Sequence, residues 1–416
     1  MIAATGRFLR ADGRWLGAGL AMTFASSAGQ TFFIALFADP LRTATGLGHG
    51  GWGTLYAAAT LTSALAIAVV GHVADRRPMA VPAVGVLGLA ALGAVAMSAV
   101  TSPWLLALAV FLLRFAGQGM ASHVAMTAAA RWFRATRGRA LAVVSLGHPL
   151  GEAVLPGLVV AATAGLGWRA TWLAVALGLA GVFAPLVARL GAVERVPQRR
   201  PERSAEDEAA AATGLDGRHW ARRDVLRHPV FWALLPGVLA SPFMGTALLF
   251  QAAPLMAAKG WSLELYAAAF PAYAAASVAG GLASGLLVDR FGPVRLVPFV
   301  LLPLAAGLGL VAGATAAFAV VVFLALIGLT TGAVFTLVAA LFAELYGTRH
   351  LGAVRGLVSS FTVFGTALAP GLTGLLLDAG VALETQFAVM AAVAVGLAGV
   401  FALVARHLRA RAPAPA

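Results

Sequence analysis

"GLLVDRFGPVR", at Gly285–Arg295, repeats the outline of a stretch from the first half of the chain, "GHVADRRP" at Gly71–Pro78. Both copies contain a glycine followed four residues later by an Asp-Arg pair, namely Gly71, Asp75 and Arg76, and Gly285, Asp289 and Arg290. Only the later copy adds a second glycine, Gly292, where the earlier copy has Pro78. A loop pattern that recurs at a fixed separation indicates an internal duplication.

Other positions recur at the same separation as Gly71 and Gly285, which we call the repeat offset. They are Pro40 and Pro254, Pro156 and Pro370 (each the start of "PGL"), and Gly151 and Gly365. A single offset that fits three pairs of apolar stretches predicts two six-helix repeats. Such repeats are typical of secondary transporters, which bind substrate between the repeats near the middle of the bilayer.

The composition is that of a membrane protein. Of the 416 residues, 61% are hydrophobic and 11% are charged, whereas a soluble domain has about 25% charged residues. Long apolar stretches predict transmembrane helices. We predict twelve, called spans 1 to 12, at residues 15–38, 52–74, 80–100, 104–128, 139–163, 168–190, 229–257, 266–288, 294–313, 316–341, 352–378 and 384–406.

The predicted fold is therefore all-α and integral to the membrane, with twelve transmembrane helices in two pseudo-symmetric six-helix bundles. The bundles cover residues 1–190 and 229–416, and residues 191–228 form a solvated linker, because mixed charge with few apolar residues cannot build a core. The chain has no Cys, which excludes disulfides and cysteine-based metal or redox sites.

The net charge of +13 is explained by membrane topology. If the N-terminus is cytoplasmic, 25 of the 29 Lys and Arg residues fall on the cytoplasmic side, Arg42, Arg169 and Lys259 fall outside, and Arg114 lies within span 4. This is the positive-inside pattern. It predicts a multi-pass protein of a bacterial inner membrane with both termini in the cytoplasm, and it removes the case for nucleic-acid binding.

The doubled loop pattern resembles the loop motif of the major facilitator superfamily, which is a Gly, three residues, Asp-Arg and then usually Gly. The resemblance implies a transporter that alternates between inward-open and outward-open states. It also implies a gating role for Gly71, Asp75, Arg76, Gly285, Asp289, Arg290 and Gly292. Glycine allows two helices to approach closely, and each Asp either caps a helix end or pairs with an Arg of the other half. The alternative is that the Asp-Arg pairs only anchor helix ends.

A second stretch, "RWFRATRGRALAVVSLGHPLGEAVLP" at Arg131–Pro156, resembles the monocarboxylate-porter and oxalate/formate branch of that superfamily. The shared features are an aromatic and basic start, the small-residue pair Gly147 and Gly151, and the final proline. The Asp/Arg pair that this branch carries in span 8 is absent between Tyr266 and Val288.

Two residues place a charge deep within the spans, Arg114 in span 4 and Glu152 in span 5. Each costs about 2.5–3.5 kcal/mol at the bilayer centre on insertion scales. At the repeat offset, Arg114 corresponds to Gly328 and Glu152 to Thr366. Because the other repeat fills these positions without charge, packing does not require the charges, and we infer that they serve function.

Spacing extends each charge into a polar helix face. Arg114, Gln118 and Ser122 recur every four residues on span 4, and His148 and Glu152 do the same on span 5. The comparable depths of Arg114 and Glu152 allow a contact. The hypothesis is that Glu152 carries the coupled proton, His148 shares it, and Arg114 is either the switchable partner of Glu152 or an anion contact. The alternative is a permanent structural ion pair.

Further polar residues in the spans are candidates to contact substrate, together with Arg114: Gln30, Gln118, His123, Gln251 and Tyr273. No metal-ligand spacing and no phosphate-binding loop occurs, so we expect no metal, no cofactor, no ATP-driven pumping and no enzyme activity.

The sequence thus predicts a functional monomer in the lipid bilayer that transports a small organic solute by alternating access, coupled to protons. The first candidate substrate is an organic anion such as a monocarboxylate, because Arg114 is the one cation far from the ends of the spans. Proton-driven efflux of lipophilic or drug-like compounds is the second candidate. A membrane receptor that does not transport is the alternative of another class.

Overall fold

The computed structural model describes residues 2–133, 136–195 and 213–411, and these residues form helices and loops without a strand. The chain divides into two compact units, residues 1–200 with 252–254, and residues 201–251 with 255–416. Within the described ranges, eleven helices are long and apolar enough to cross a membrane, and a bent pair at the N-terminus brings the number to twelve if it counts as one span. The predicted all-α, twelve-span fold is therefore confirmed.

The first unit contains spans 1 to 6. Its helices, including short 3₁₀ and π segments, are Ile2–Ala25, Ser26–Gly29, Thr31–Ile34, Ala35–Phe37, Ala38–Thr45, His49–Val70, Val73–Arg76, Ala80–Ser98, Pro103–Leu112, Leu113–Ala121, Ser122–Trp132, Arg137–Ser145, Gly147–Leu166, Trp168–Leu177, Gly178–Phe183 and Ala184–Gly191. Span 1 is predicted as one helix but is broken: Arg10–Gly29 and Thr31–Thr45 meet at 46°.

The second unit contains spans 7 to 12. Its helices are Leu215–Gly217, Arg222–Arg227, Pro229–Phe250, Ala252–Lys259, Leu263–Ala268, Phe270–Phe291, Pro293–Leu296, Val297–Phe299, Leu302–Gly313, Ala319–Tyr346, Leu351–Asp378 and Leu383–Arg411. Span 7 ends earlier than predicted, at Phe250, because the backbone turns at Gln251 (φ −90°, ψ 19°) before the next helix begins.

Helix boundaries follow the repeat offset in both units. Spans 4 and 10 end at Trp132 and Tyr346, and spans 5 and 11 begin at Arg137 and Leu351. The short helices Ala38–Thr45 and Ala252–Lys259 share the offset too, and each ends at a glycine of positive φ, Gly46 (67°) and Gly260 (65°). Since no gap separates the repeats in this region, Arg114 and Gly328 are equivalent positions.

Large apolar side chains cover the outside of the helices. Leu65, Leu177 and Leu286 are among the most exposed, at 71%, 73% and 73%. Water would not tolerate so many exposed apolar side chains on candidate spans, whereas lipid solvates them without cost. The surface chemistry thus agrees with a protein that spans the bilayer many times.

The described ends of the segment predicted as a solvated linker are packed. Arg195 pairs with Asp12 at 2.9 Å and donates to the carbonyl of Trp132 at 2.6 Å. Glu194 pairs with Arg131 and accepts from the Trp132 indole at 2.9 Å. Glu194 and Arg195 therefore pack on the ends of spans 1 and 4.

Candidate functional site

The break in span 1 lies at Gly29 and Gln30. Gln30 is extended (φ −81°, ψ 154°) between the 3₁₀ turn Ser26–Gly29 and the helix that begins at Thr31. A break of this kind frees backbone groups from the helical ladder, and they need other partners inside a membrane. In the other repeat the equivalent residues, Phe243 and Met244, lie within the unbroken helix Pro229–Phe250. The break is therefore specific to the first unit.

Arg114 supplies one of those partners. Its Nη1 donates to the carbonyl oxygen of Gly29 at 3.2 Å and to the Thr31 hydroxyl at 3.4 Å, and its Nε donates to the Thr60 hydroxyl at 3.1 Å. The guanidinium carbon lies 5.2 Å from the centre of the Tyr56 ring, in cation–π contact. Arg114 is only 4% exposed. Among the described residues, the Arg114 Nη2 donates to no group. This nitrogen of the guanidinium group is therefore available to donate to a ligand.

Span 4 is wound wider around Arg114. Residues Leu113–Ala121 form a π-helix, and π segments of this kind are frequent at functional sites. Gly117, in the middle of this segment, lies so close to Gly29 that an added Cβ would stand 2.9 Å from the Gly29 Cα. The π segment and the span 1 break thus pack directly on each other. This contact places Arg114 next to the break.

Gly117→Val should destabilise the protein by about 1–3 kcal/mol, because the added methyl groups have no space against Gly29. The measurement is the melting temperature of the purified protein. Gly157→Val is the matched control, since a Cβ at Gly157 on span 5 meets nothing within 4 Å. Equal melting temperatures for the two variants would show that the packing between Gly29 and Gly117 is not tight.

The polar residues around Arg114 were missed by sequence reasoning. Tyr56 and Thr60 lie one turn apart on span 2, and the Tyr56 hydroxyl donates to Thr31 at 2.9 Å. The repeat contained the signal: at the same offset, the equivalents of Thr31, Tyr56, Thr60 and Arg114 are Gly245, Phe270, Ala274 and Gly328. All four positions are polar in the first unit and apolar or small in the second. Gly328 instead lies directly against the backbone of Tyr273, where an added Cβ would be 3.1 Å from its Cα.

Glu152 lies on span 5, which also packs on span 1. It is 9% exposed, and its Oε1 is 3.9 Å from Nδ1 of His148, whose ring stacks on Phe32 at 6.4 Å. The neighbouring Gly151 packs on Ser27, where an added Cβ would be 3.0 Å from the Ser27 Cβ. Both buried charges therefore flank residues 27–32, the break and its first helical residues.

The contact between Glu152 and Arg114 that the sequence allowed is not formed. Among the described residues, the Glu152 carboxylate approaches His148, and no ion pair joins Glu152 to Arg114. The reason is that Arg114 is held by spans 1 and 2, through Gly29 and Thr60, rather than facing span 5. A permanent Arg114–Glu152 ion pair is thus not what stabilises these charges.

The remaining candidates of the first unit have distinct surroundings. Gln30 stands at the break and is partly buried, and Gln118 is partly buried on the π segment. His123 is 3.1 Å through Nε2 from the carbonyl oxygen of Gly71, which requires that nitrogen to carry the proton. His123 thus links span 4 to the first loop motif. The side chains of Asp75 and Arg76 lie outside the described part of the structure.

The candidates of the second unit lie on spans 7 and 8 and in the loop motif after span 8. Gln251, at the end of span 7, is 2% exposed and donates to the Thr373 hydroxyl of span 11 at 2.9 Å. Tyr273 is buried on span 8 beside Phe270, with ring centres 5.8 Å apart. In the loop motif Gly285 is partly buried, Asp289 and Arg290 are exposed, and Arg290 lies 5.2 Å from the Phe291 ring.

Gly292 ends span 8 with φ 76° and ψ 151°, a conformation that only glycine adopts without strain. Gly292→Ala should therefore lower the free energy of unfolding by about 1 kcal/mol or more, measured as a lower melting temperature. Gly285→Ala is the control in the same motif, because its Cβ would make an ordinary contact of 3.8 Å with Thr336. A Gly292→Ala variant as stable as Gly285→Ala would contradict this assignment.

The described residues contain no group of three or more His, Asp or Glu side chains that could hold a metal ion. The charged and titratable groups near the helix break are Arg114, Glu152 and His148.

The sequence profile of the Major Facilitator Superfamily matches residues 19–317 and 243–416. The chain belongs to this superfamily. The resemblance drawn from the two loop motifs is thereby confirmed. Major facilitator proteins are transporters that bind small-molecule substrates within the membrane.

Two curated relatives show weaker similarity to this major facilitator protein. The MFS transporter asaE of Aspergillus flavus is 26% identical over 260 residues, which is 61% of this chain and 54% of asaE. The chain thus spans about half of the length of asaE. An uncharacterized 38 kDa protein of the 23S RNA operon of Thermoproteus tenax is 27% identical over 343 residues, 82% of each chain.

Solved structures of major facilitator transporters share the fold. A bacterial homologue of the human lysosomal transporter Spinster, in an inward-facing and unoccupied conformation, has a TM-score of 0.72 at 16% identity and covers 97% of this chain and 98% of its own. The nucleoside transporter NupG has a TM-score of 0.71 at 12% identity, with 94% and 98% covered. At these identities the likeness concerns the fold alone.

Proposed function

We propose that this protein is a proton-coupled secondary active transporter that moves a small organic anion by alternating access. The supporting observation is that the departures from the internal repeat coincide in space. The helix break, Arg114 with its polar partners, and the span 5 residues His148 and Gly151 beside Glu152 all lie at residues 27–32. The second unit instead has an unbroken helix, Gly328 and Thr366 at the equivalent positions.

Arg114 binds the anion in this mechanism. Three bonds fix Nε and Nη1 in place, so the free Nη2 is already oriented before substrate arrives. A preorganised donor loses little conformational entropy on binding. A carboxylate is the fitting partner, since a guanidinium forms charge-assisted hydrogen bonds with planar oxyanions. Gln30 adjoins Gly29 and Thr31 in the chain, and Gln118 lies one turn from Arg114 on span 4, so both are assigned neutral hydrogen bonds to the substrate.

Glu152 carries the proton. A carboxylate in an apolar span is costly, and protonation removes that cost, so its charge state responds to the arrival of water or substrate. His148 is the neighbour that exchanges the proton, because its side chain is 41% exposed while that of Glu152 is 12% exposed. Movement of the span 1 break then links proton transfer at Glu152 to anion binding at Arg114.

The protein lies in a bacterial inner membrane with both termini cytoplasmic, supported by the distribution of Lys and Arg. It functions as a monomer. The loop motifs at Gly71–Arg76 and Gly285–Gly292 act as gating elements, supported by the helix end at Gly292 and the tie from His123 to Gly71.

Efflux of lipophilic compounds is a second candidate, and one observation favours it. An apolar groove of about 260 Å³ lies among spans 1, 5 and 6 of the first unit, and it reaches from Phe24 past Ala28 to Phe33. Leu155, one turn from Glu152, lines it. In this reading the acid faces a lipophilic cation, and Arg114 only supports the break.

Counterflow in reconstituted vesicles separates these functions. Vesicles are loaded with a panel of unlabelled monocarboxylates, or with lipophilic cations, and entry of the labelled compound is followed with and without an inward proton gradient. Exchange of a carboxylate that becomes accumulation when the outside is acidic supports the proposal. Exchange of lipophilic cations alone would replace it with efflux, and absence of any exchange would favour a receptor.

A further inference from the structure

The second unit contains a cavity that the transport site does not use. Its volume is about 620 Å³, within the range of about 300–1,000 Å³ typical of small-molecule sites. Its walls are the turn Gly214–Gly217, the loop after span 8 at Phe291–Arg295, and the ends of spans 10 and 12 at Glu344 and Arg409. All of these residues belong to the same unit, far along the chain from Arg114.

The turn that forms one wall is firmly held. The Trp220 amide donates to the Tyr346 carbonyl at 3.3 Å, and the Trp220 indole donates to the Leu215 carbonyl at 3.0 Å. His228 closes the cluster, with Nδ1 3.2 Å from the Tyr346 hydroxyl. Gly214 packs so closely on span 10 that an added Cβ would be 2.7 Å from the Gly347 amide nitrogen. The turn Gly214–Gly217 is thus packed against the end of span 10.

One residue of the turn is held in an unfavourable conformation. Asp216 has φ 58°, and it is the only residue other than glycine with positive φ in the described part of the chain. Such conformations cost free energy and persist where the surrounding structure imposes them, often at binding sites. Asp216 is exposed and lines the cavity.

Four charged residues, all exposed, line this open cavity, two of each sign: Asp216, Glu344, Arg295 and Arg409. None of the four is in an ion pair within the described residues, and the one side-chain hydrogen bond among them runs from Arg409 Nε to the carbonyl of Ala405 on its own helix. A purely anionic ligand would meet the two carboxylates, and a purely cationic one would meet the two guanidinium groups. A ligand that carries both charges satisfies both sets.

We propose that this cavity binds a zwitterion, a molecule with an ammonium group, an acidic group and an apolar body. Asp216 and Glu344 hold the ammonium group, Arg295 and Arg409 hold the acid, and Phe291 and Leu408 contact the apolar part. The ligand joins the turn Gly214–Gly217 to the second loop motif, which ends at Gly292 in the same wall. Occupancy therefore tethers the linker to the loop between spans 8 and 9 and regulates the movement of that loop.

The test is isothermal titration of the purified full-length protein in a nonionic detergent. The probes are L-phenylalanine, 3-phenylpropionate, which lacks the ammonium group, and phenethylamine, which lacks the acid. Binding of phenylalanine at least tenfold tighter than both analogues is expected, because each charged hydrogen bond contributes about 1.5–3 kcal/mol. Equal binding of the three probes would overturn the proposal.

Substitutions of the lining residues test whether phenylalanine binds in this cavity. Asp216→Asn and Arg295→Gln should each raise Kd for phenylalanine about tenfold or more, whereas Arg349→Gln, an exposed Arg outside the cavity, should leave it unchanged. Asp216→Gly also removes the carboxylate and suits the positive φ, so it guards against a folding defect. Wild-type affinity in Asp216→Gly and Arg295→Gln would place phenylalanine elsewhere. Arg114→Lys should retain phenylalanine binding, so this test is independent of the transport proposal.

A lipid headgroup is the other source of the same chemistry. The protein is therefore also placed in nanodiscs of phosphatidylglycerol with and without phosphatidylethanolamine, whose headgroup has both an ammonium and a phosphate. A rise in melting temperature with phosphatidylethanolamine that is lost in Asp216→Gly identifies the lipid as ligand. If neither phenylalanine nor phosphatidylethanolamine gives an effect that depends on Asp216, the zwitterion site is refuted.

Discussion

Arg114→Lys should lower the initial rate of anion exchange by at least about tenfold, and Arg114→Ala by about a hundredfold or more. A lysine ammonium keeps the charge but cannot donate to Thr60, Gly29 and a substrate oxyanion from one fixed plane. Loss of a charged hydrogen bond to substrate costs about 1.5–3 kcal/mol, which corresponds to about ten- to a hundredfold in binding. The measurement is counterflow of the labelled anion in vesicles at equal pH on both sides.

Arg169→Lys is the matched control for this prediction. The Arg169 guanidinium also donates to backbone carbonyl oxygens, from Nη1 to Ser98 at 2.7 Å and from Nη2 to Val100 at 2.9 Å. These bonds hold a loop outside the site. Thr60→Val provides a second comparison, since it removes the Nε partner and leaves the charge in place. If Arg114→Lys exchanges anion as fast as Arg169→Lys, Arg114 supports the helix break and does not bind substrate.

Glu152→Gln should abolish accumulation driven by a proton gradient while exchange at equal pH remains. Glutamine has the size and neutrality of a protonated glutamate but cannot release the proton, so the conformational cycle loses its coupling step. The measurement is the ratio of internal to external substrate at steady state with the outside acidic. We expect this ratio to fall to about one, the value at equilibrium without coupling, because no proton then enters with substrate.

Glu264→Gln, at an exposed carboxylate in the first turn of span 8, should retain the wild-type ratio and serves as control. His148→Gln tests the exchange path: it should slow the approach to steady state without changing the ratio, since His148 hands over the proton and Glu152 stores it. Glu152→Gln vesicles that still concentrate substrate would move the coupling role to another residue.

The fold could be predicted from the sequence because two independent signals agree, hydropathy and the repeat offset. Hydropathy alone predicts the spans, and the repeat offset pairs them, with helix ends at Trp132 and Tyr346 and helix starts at Arg137 and Leu351. Lipid forces every backbone group into helical hydrogen bonds, so length and apolarity determine most of such a structure. The helix break at Gln30 escaped prediction because no Pro interrupts "SSAGQTFF" and the break is stabilised from outside span 1.

The candidate site was readable only in part. Arg114 and Glu152 were found because charge is costly in a membrane and because the repeat dispenses with it at Gly328 and Thr366. Tyr56 and Thr60 were missed because a single hydroxyl in a span carries little cost and gives no signal by itself. Their contacts with Arg114 exist only through packing of spans 2 and 4, which hydropathy does not specify.

The sequence by itself determined the twelve-span duplicated architecture and the two costly charges, because burial in lipid penalises each polar group according to its own chemistry. Only the tertiary structure decided which groups those charges meet. Arg114 turns to the open carbonyl of Gly29 and Glu152 turns to His148, although the sequence allowed the two to pair with each other. The choice follows from close contact of glycines, Gly117 on Gly29 and Gly151 on Ser27, which fixes how each helix faces span 1.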